Sequence, residues 1–217
     1  MMGSFTWADA VLTLDAETAQ RRAAPLRTWS DHAFELGLGL AELLVFETDS
    51  TRLQALQLDA QLYPLGAGAH LPAYLQLHSA ERAPMLALGL GIELRSDYVL
   101  ANWSAAWVHL GLGAPPSRQA VATPIRRRPR EDVTMHQFYL RPEDVMQVGG
   151  CPVMVPGRCA AELLRSAPDC PEVARTVRAL NRHGWTTKRD VLHFIHELGQ
   201  GRNSRRALAA LDAIGVD

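Results

Sequence analysis

Gln61-Leu-Tyr-Pro-Leu-Gly-Ala-Gly-Ala-His-Leu-Pro72 is the stretch on which the fold turns. Apolar residues flank Gly66-Ala-Gly68, and glycines that reach positive φ without a Cβ clash make such a segment a short β-hairpin. The sixty residues before it are rich in Ala, Leu and Glu and read as helical. Pro25 ends or kinks a first helix, because it lacks the N–H that an interior turn needs. Ser30 is placed to cap a second helix over 31–36, stopped by Gly37-Leu-Gly39. Thr48, Asp49 and Ser50 offer caps for a third helix over 51–59, with Leu53, Leu56 and Leu58 inward at helical spacing. Helices followed by one hairpin outline a winged helix.

Downstream of the hairpin the pattern is mixed. A helix is expected over 79–90 and a short strand at Tyr98-Val-Leu100. Asn102 or Ser104 is the expected cap of another helix, which ends at Gly111. Pro115-Pro116 reads as the start of a linker. Over 119–155 β-branched residues rise, and strands are expected at 121–125, 133–138, 145–148 and 152–155, the last two joined tightly across Gly149-Gly150. Pro156 and Pro171 stand at first-turn positions of helices, Thr187-Lys-Arg-Asp190 resembles a capping box, and a last helix ends at Gly215. The fold class is therefore α+β: a winged-helix-like module, then a mixed α/β part with a small sheet and terminal helices.

The chain has 217 residues, 47% hydrophobic and 21% charged. These are values of a globular protein with a real core rather than of a disordered or fibrous one. No run approaches the ~18 apolar residues of a membrane span, and the first residues lack the basic region of a signal peptide. Cys151, Cys159 and Cys170 are odd in number and contain no CxxC pair, so the expected compartment is a reducing cytoplasm.

The net charge of −1 conceals an asymmetry. Residues 1–117 hold six basic side chains against twelve acids, a net of −6, while 118–217 hold sixteen against eleven, a net of +5. All the cations but Lys188 are arginines, whose planar fork suits phosphate. They are densest at Arg126-Arg127-Arg128-Pro129-Arg130, with Arg118 just before. Such a run is either a solvated loop or a contact for nucleic acid or an acidic partner.

No arrangement reads as an active site. His193-Phe-Ile-His196-Glu197 is neither HExxH nor HxxEH, and its histidines fall on the polar side of a helix, so no metal is expected. GxSxG, GxxxxGK[ST] and GxGxxG are absent from the sequence, so no catalytic residues and no cofactor are assigned. The cysteines lie among apolar neighbours, and the acid pairs Glu131-Asp132 and Glu143-Asp144 lie in turn-like segments. Trp103 and Trp107, four apart, form a core seam before they form a partner surface.

Four stretches, in order, carry a family resemblance. Leu62-Tyr-Pro-Leu-Gly-Ala-Gly-Ala-His-Leu-Pro72 is similar to a wing segment. Val99-Leu-Ala-Asn-Trp-Ser-Ala-Ala-Trp-Val-His-Leu-Gly-Leu112 is similar to a Ser-Ala-Ala helix ending in His-Gly-Leu. Arg141-Pro-Glu-Asp-Val-Met-Gln-Val-Gly-Gly-Cys-Pro-Val153 is similar to a Pro-x-Asp-Val…Gly…Pro-Val hairpin, and Val155-Pro-Gly-Arg-Cys-Ala-Ala-Glu-Leu163 to a Ser-Pro-Ala-Arg-Thr helix start. From about residue 55 onward the chain thus resembles the AbiEi-type antitoxin family of type IV toxin–antitoxin systems. Met154-Val155 stands where the family has Thr-Ser, and Leu110 separates His109 from glycine.

The resemblance implies a winged-helix-like module at 1–73 and an AbiEi-like antitoxin domain at 74–217. It implies a non-enzymatic protein that binds operator DNA, autoregulates its operon and counteracts a nucleotidyltransferase-type toxin encoded nearby. The recognition helix would be 51–59, offering Arg52, Gln54 and Gln57 to a groove. Arg118, Arg126, Arg127, Arg128 and Arg130 would supply phosphate contacts or a partner-binding face. The alternatives are a stand-alone transcriptional regulator and a remnant of a nuclease-fused protein. Against the latter, no carboxylate–Lys nuclease motif follows the last helix.

Overall fold

The computed structural model describes residues 15–46, 49–128, 133–199 and 202–216. Its architecture is mixed α and β. Helix α1 (Ala16–Ala23) is capped by Asp15, whose carboxylate accepts from Thr18 N at 2.7 Å and is held below its usual range by that bond. Pro25 lies in the 3-10 turn Ala24–Thr28 that ends it. Ser30 caps α2 (Asp31–Ala41), its Oγ accepting from Ala33 N at 3.0 Å.

The expected stop at Gly37-Leu-Gly39 does not occur, and α2 runs through both glycines. A Cβ on Gly37 would stand 2.2 Å from Leu26 Cδ1. The residue is small because α2 packs closely on the 3-10 turn, not because the helix ends. Asp49 caps α3 (Ser50–Leu58), accepting from Thr51 N and Arg52 N. Leu56 is buried and Leu53 half-buried, but Leu58, expected inward, is 79% exposed. The helix offers the core only a narrow stripe.

The hairpin forms where expected: β1 (Leu62–Gly66) pairs antiparallel with β2 (Ala69–Pro72), Tyr63 opposite Leu71. Gly66, Ala67 and Gly68 all have positive φ at the turn. Val45, between α2 and α3, bridges His70 of β2 and gives the hairpin a third, one-residue strand. Val45, Leu56 and Leu62 form a small cluster under α3.

Helix α4 (Ser79–Gly89) contains Pro84, which leaves the Ala80 carbonyl without its helical donor. Gly149 lies against that carbonyl so closely that a Cβ there would be 1.8 Å from Ala80 O. Then come β3 (Val99–Leu100), α5 (Asn102–Leu110), β4 (Gln119–Thr123), β5 (Val133–Gln137), β6 (Val145–Val148) and β7 (Cys151–Met154). They make a five-stranded sheet in the order β5-β4-β3-β7-β6. β4 and β5 are parallel, as are β3 and β7; the other pairs are antiparallel. α6 (Pro156–Ser166) packs against α5, α7 (Pro171–Arg182), α8 (Lys188–Glu197) and α9 (Arg202–Ile214).

One cluster of buried residues runs from Ala19 to Val216. Polar ties cross it: Ser30 Oγ donates to Gly150 O at 2.9 Å, Trp29 Nε1 to Arg95 O at 2.9 Å, and Gln119 Nε2 to Leu65 O. Pro115 is buried in the α5–β4 connection, and β4 returns antiparallel to β3. The change of charge at residue 117 therefore falls in a connection between two strands, β3 and β4, of one sheet. Among the described residues, no helix is long and apolar enough to cross a membrane.

Candidate functional site

The two groups of residues assigned to nucleic acid sit on different elements. On α3, Gln54 is exposed, while Arg52 and Gln57 are half-buried. The connection from α2 to α3 takes eight residues, 42–49, and includes the Val45–His70 bridge. A helix-turn-helix more commonly uses a turn of 3–4 residues. The hairpin that follows carries no Arg or Lys. Its one basic-type side chain, His70, is buried, and burial pushes that imidazole below its ordinary value.

The arginines do not form one face. Arg118 precedes β4 and Arg126 to Arg128 follow it, so a strand of five residues, about 16 Å long at ~3.3 Å per residue, lies between them. Arg126 and Arg128 are exposed; Arg127 is half-buried and engaged. Its Nη2 stands 3.6 Å from Asp97 Oδ2, and its guanidinium lies 5.9 Å from the Tyr98 ring centroid. Asp97 also accepts from Thr123 Oγ1 at 2.6 Å. Arg130 lies outside the described residues.

The antiparallel pairing of β3 with β4 brings a further cation here that the sequence reading missed. Arg95, Arg127 and Arg128 line one depression of about 400 Å³ together with a carboxylate, Glu93, and with Tyr98 and Met135. Arg95 is some thirty residues away in the chain, and only the sheet topology puts it beside Arg127.

A second charged group was also missed. Asp144, read as an ordinary turn acid, is fully buried. It accepts from Arg141 N at 2.8 Å and from Arg158 Nη1 at 3.2 Å. Arg158 donates through Nε and Nη2 to Glu162 Oε1 at 3.2 and 2.9 Å, and Arg141 reaches on to Glu197. These bonds tie the start of β6 to α6 and α8, and every charge in the group has an opposite partner. The sequence carried one signal, the i, i+4 spacing of Arg158 and Glu162.

The remaining motifs fall as follows. His193 and His196 are both exposed, and His193 Nε2 lies 3.6 Å from Glu197 Oε2. Among the described residues no group of three or more His, Cys, Asp or Glu converges. Cys151 and Cys159 are buried, and burial raises both thiols, that of Cys159 to about 12. Trp107 belongs to the core, its Nε1 donating to Gly113 O at 3.2 Å, whereas Trp103 is 38% exposed. Trp103 faces an open groove of about 600 Å³ between α5, α7 and the β4–β5 end of the sheet.

No protein-family model matches the chain, and it matches no curated protein and no solved structure.

Proposed function

We propose that the chain is a non-enzymatic, cytoplasmic, antitoxin-like DNA-binding protein that autoregulates its operon and counteracts a nucleotidyltransferase-type toxin. The observation that carries the reading is the order helix, helix, hairpin at 31–72, in which a capped α3 presents Gln54 outward and leads directly into β1–β2. The resemblance to AbiEi-type antitoxins runs from about residue 55 onward and includes that hairpin. In this reading α3 enters a groove with Gln54, Arg52 and Gln57. The hairpin supplies shape rather than charge. Phosphate attraction comes from Arg126, Arg128 and Arg95, which compensate for the acidic composition of 1–117.

The test is a mobility shift on the gene's own promoter at two salt concentrations, with wild type and with Arg126→Ala/Arg128→Ala. Each lost phosphate contact lowers the salt slope by about 0.9, so the double variant loses about two units. No salt-sensitive shift by wild type at tens of micromolar removes the DNA-binding claim. Co-expression with a neighbouring nucleotidyltransferase tests the other half: growth is rescued if the antitoxin reading holds, and failure to rescue rejects it.

A further inference from the structure

The groove beside Trp103 is an open, mainly apolar concavity of about 600 Å³. Its apolar lining includes Trp103, Ala106 and Leu110 of α5, Leu112 of the following loop and Ala179 of α7. Trp103 at 38% and Leu112 at 56% exposure are costly surface for a side chain that could pack elsewhere. About 600 Å³ lies within the range of small-molecule sites.

The lining is not neutral. Arg118, just before β4, and Arg175, on α7, line the groove with one carboxylate, Glu172. That carboxylate is already engaged, accepting from Cys170 Sγ at 3.1 Å and Arg175 Nη2 at 2.7 Å. The thiol's hydrogen bond, and after it one from the residue's own backbone N–H, hold that carboxyl below its usual range, with Arg175 adding less. The Arg175–Glu172 pair is well exposed, at 68% and 59%, so an arriving anion can exchange into it at little cost. A lining that combines two arginines with an indole and aliphatic side chains complements a ligand with an apolar body and one acidic group.

We infer that this groove is a binding site for a small organic acid with an aromatic or branched apolar body. The body lies on Trp103 and Leu112 and the acid between Arg118 and Arg175. Such a ligand touches α5, α7 and the start of β4 at once. The site stands independently of the DNA-binding reading.

Two fluorescent probes that differ only in the anion test it: 8-anilinonaphthalene-1-sulfonate and the neutral N-phenyl-1-naphthylamine, each titrated into the folded full-length chain. The sulfonate is expected to saturate at one per chain and to bind more tightly than the neutral probe. Arg118→Ala/Arg175→Ala should weaken the sulfonate about tenfold, from two exposed ion contacts, and the neutral probe less than twofold. Trp103→Ala should weaken both probes; Leu112→Ala, at an exposed loop position, makes the same point if the first variant does not fold. Equal affinities for the two probes, with no effect of the arginine variant, overturn the inference. So does a concentration-dependent dimer that Trp103→Ala dissociates, because the groove is then an interface between copies.

Discussion

Replacing Arg158 with Met probes how the sheet is joined to the helical layer. The guanidinium is 5% exposed and serves two carboxylates, Asp144 at 0% and Glu162 at 7% exposure. Methionine fills similar volume but donates nothing. Asp144 then keeps Arg141 N at 2.8 Å and Arg141 Nη2 at 3.4 Å. Glu162 keeps only Arg165 Nη1 at 3.8 Å, beyond hydrogen-bond range. Removing one partner of a buried ion pair costs ~3–5 kcal/mol, and the donors left to Asp144 place this case near ~3. For a chain of this length that is a fall in Tm of about 6–12 °C. Most of the penalty sits on Glu162, so Glu162→Gln in the Arg158→Met background should restore ~1–2 kcal/mol although it destabilises wild type. Urea unfolding of the four proteins of this cycle, with a check that the m-value is unchanged, measures both numbers. A loss under ~1 kcal/mol for Arg158→Met, or strictly additive variants, would refute the claim that these charges depend on one another.

Two further predictions follow from burial. In the native protein a thiol reagent should modify Cys170 alone, since Cys151 and Cys159 are buried with raised thiol values; all three should react after unfolding. Rapid native modification of two or more thiols would contradict the packing. His70, His109 and His136 are all pushed below the ordinary 6.5, in each case chiefly by burial. At pH values between the folded and unfolded titrations the unfolded chain holds more protons, so their contribution to stability is full above about 6.5 and declines as pH falls through the lower folded-state values. Urea midpoints should be level from pH 7.5 to 6.5 and drop towards 5.5, with His109→Gln reducing the drop; a flat curve for wild type would contradict it.

The turns were readable because their demand is local. Gly66-Ala-Gly68 and Gly149-Gly150 reverse the chain with positive φ, and both hairpins form where glycine allows them. Strand ends were less so: β4 was expected at 121–125 but spans Gln119–Thr123, and Pro124, with no N–H to donate, follows its last paired residue. Gly37 shows the opposite failure, a local breaker serving a tertiary contact with Leu26. Asn102 and Ser104 looked like caps, yet the cap position of α5 is Ala101. Ser104 Oγ accepts from Ala120 N at 2.8 Å, and Asn102, at φ 47, lies 3.1 Å from His136 Nε2. The sheet recruits both polar side chains, and no window along the helix reports a partner sixteen or thirty-four residues away. Asp144 and Arg158, fourteen apart and on different elements, were hidden for the same reason.

The same long-range pairing changes the meaning of the charge asymmetry. Summed along the chain, 1–117 is acidic and 118–217 basic, which suggests two modules of opposite sign. The register Val99 opposite Ala122 places Asp97 and Tyr98, from the acidic stretch, beside the loop that carries Arg126 to Arg128. Asp97 holds Arg127, and Thr123 holds Asp97, so one arginine of the run is spent on orienting the loop. In the proposed reading, the charge offered to a phosphate backbone is that of the exposed Arg126 and Arg128, with the half-buried Arg95 of the acidic stretch lining one depression with Arg128. Salt dependence of binding should accordingly follow individual arginines around the end of β4 rather than the net charge of either half, because condensed counterions are released only where a cation reaches a phosphate. Asp97→Asn separates the two accounts. It raises the net charge by one, yet it frees Arg127 from its anchor, so a loop held in place by that pair loses affinity while a purely long-range attraction gains it.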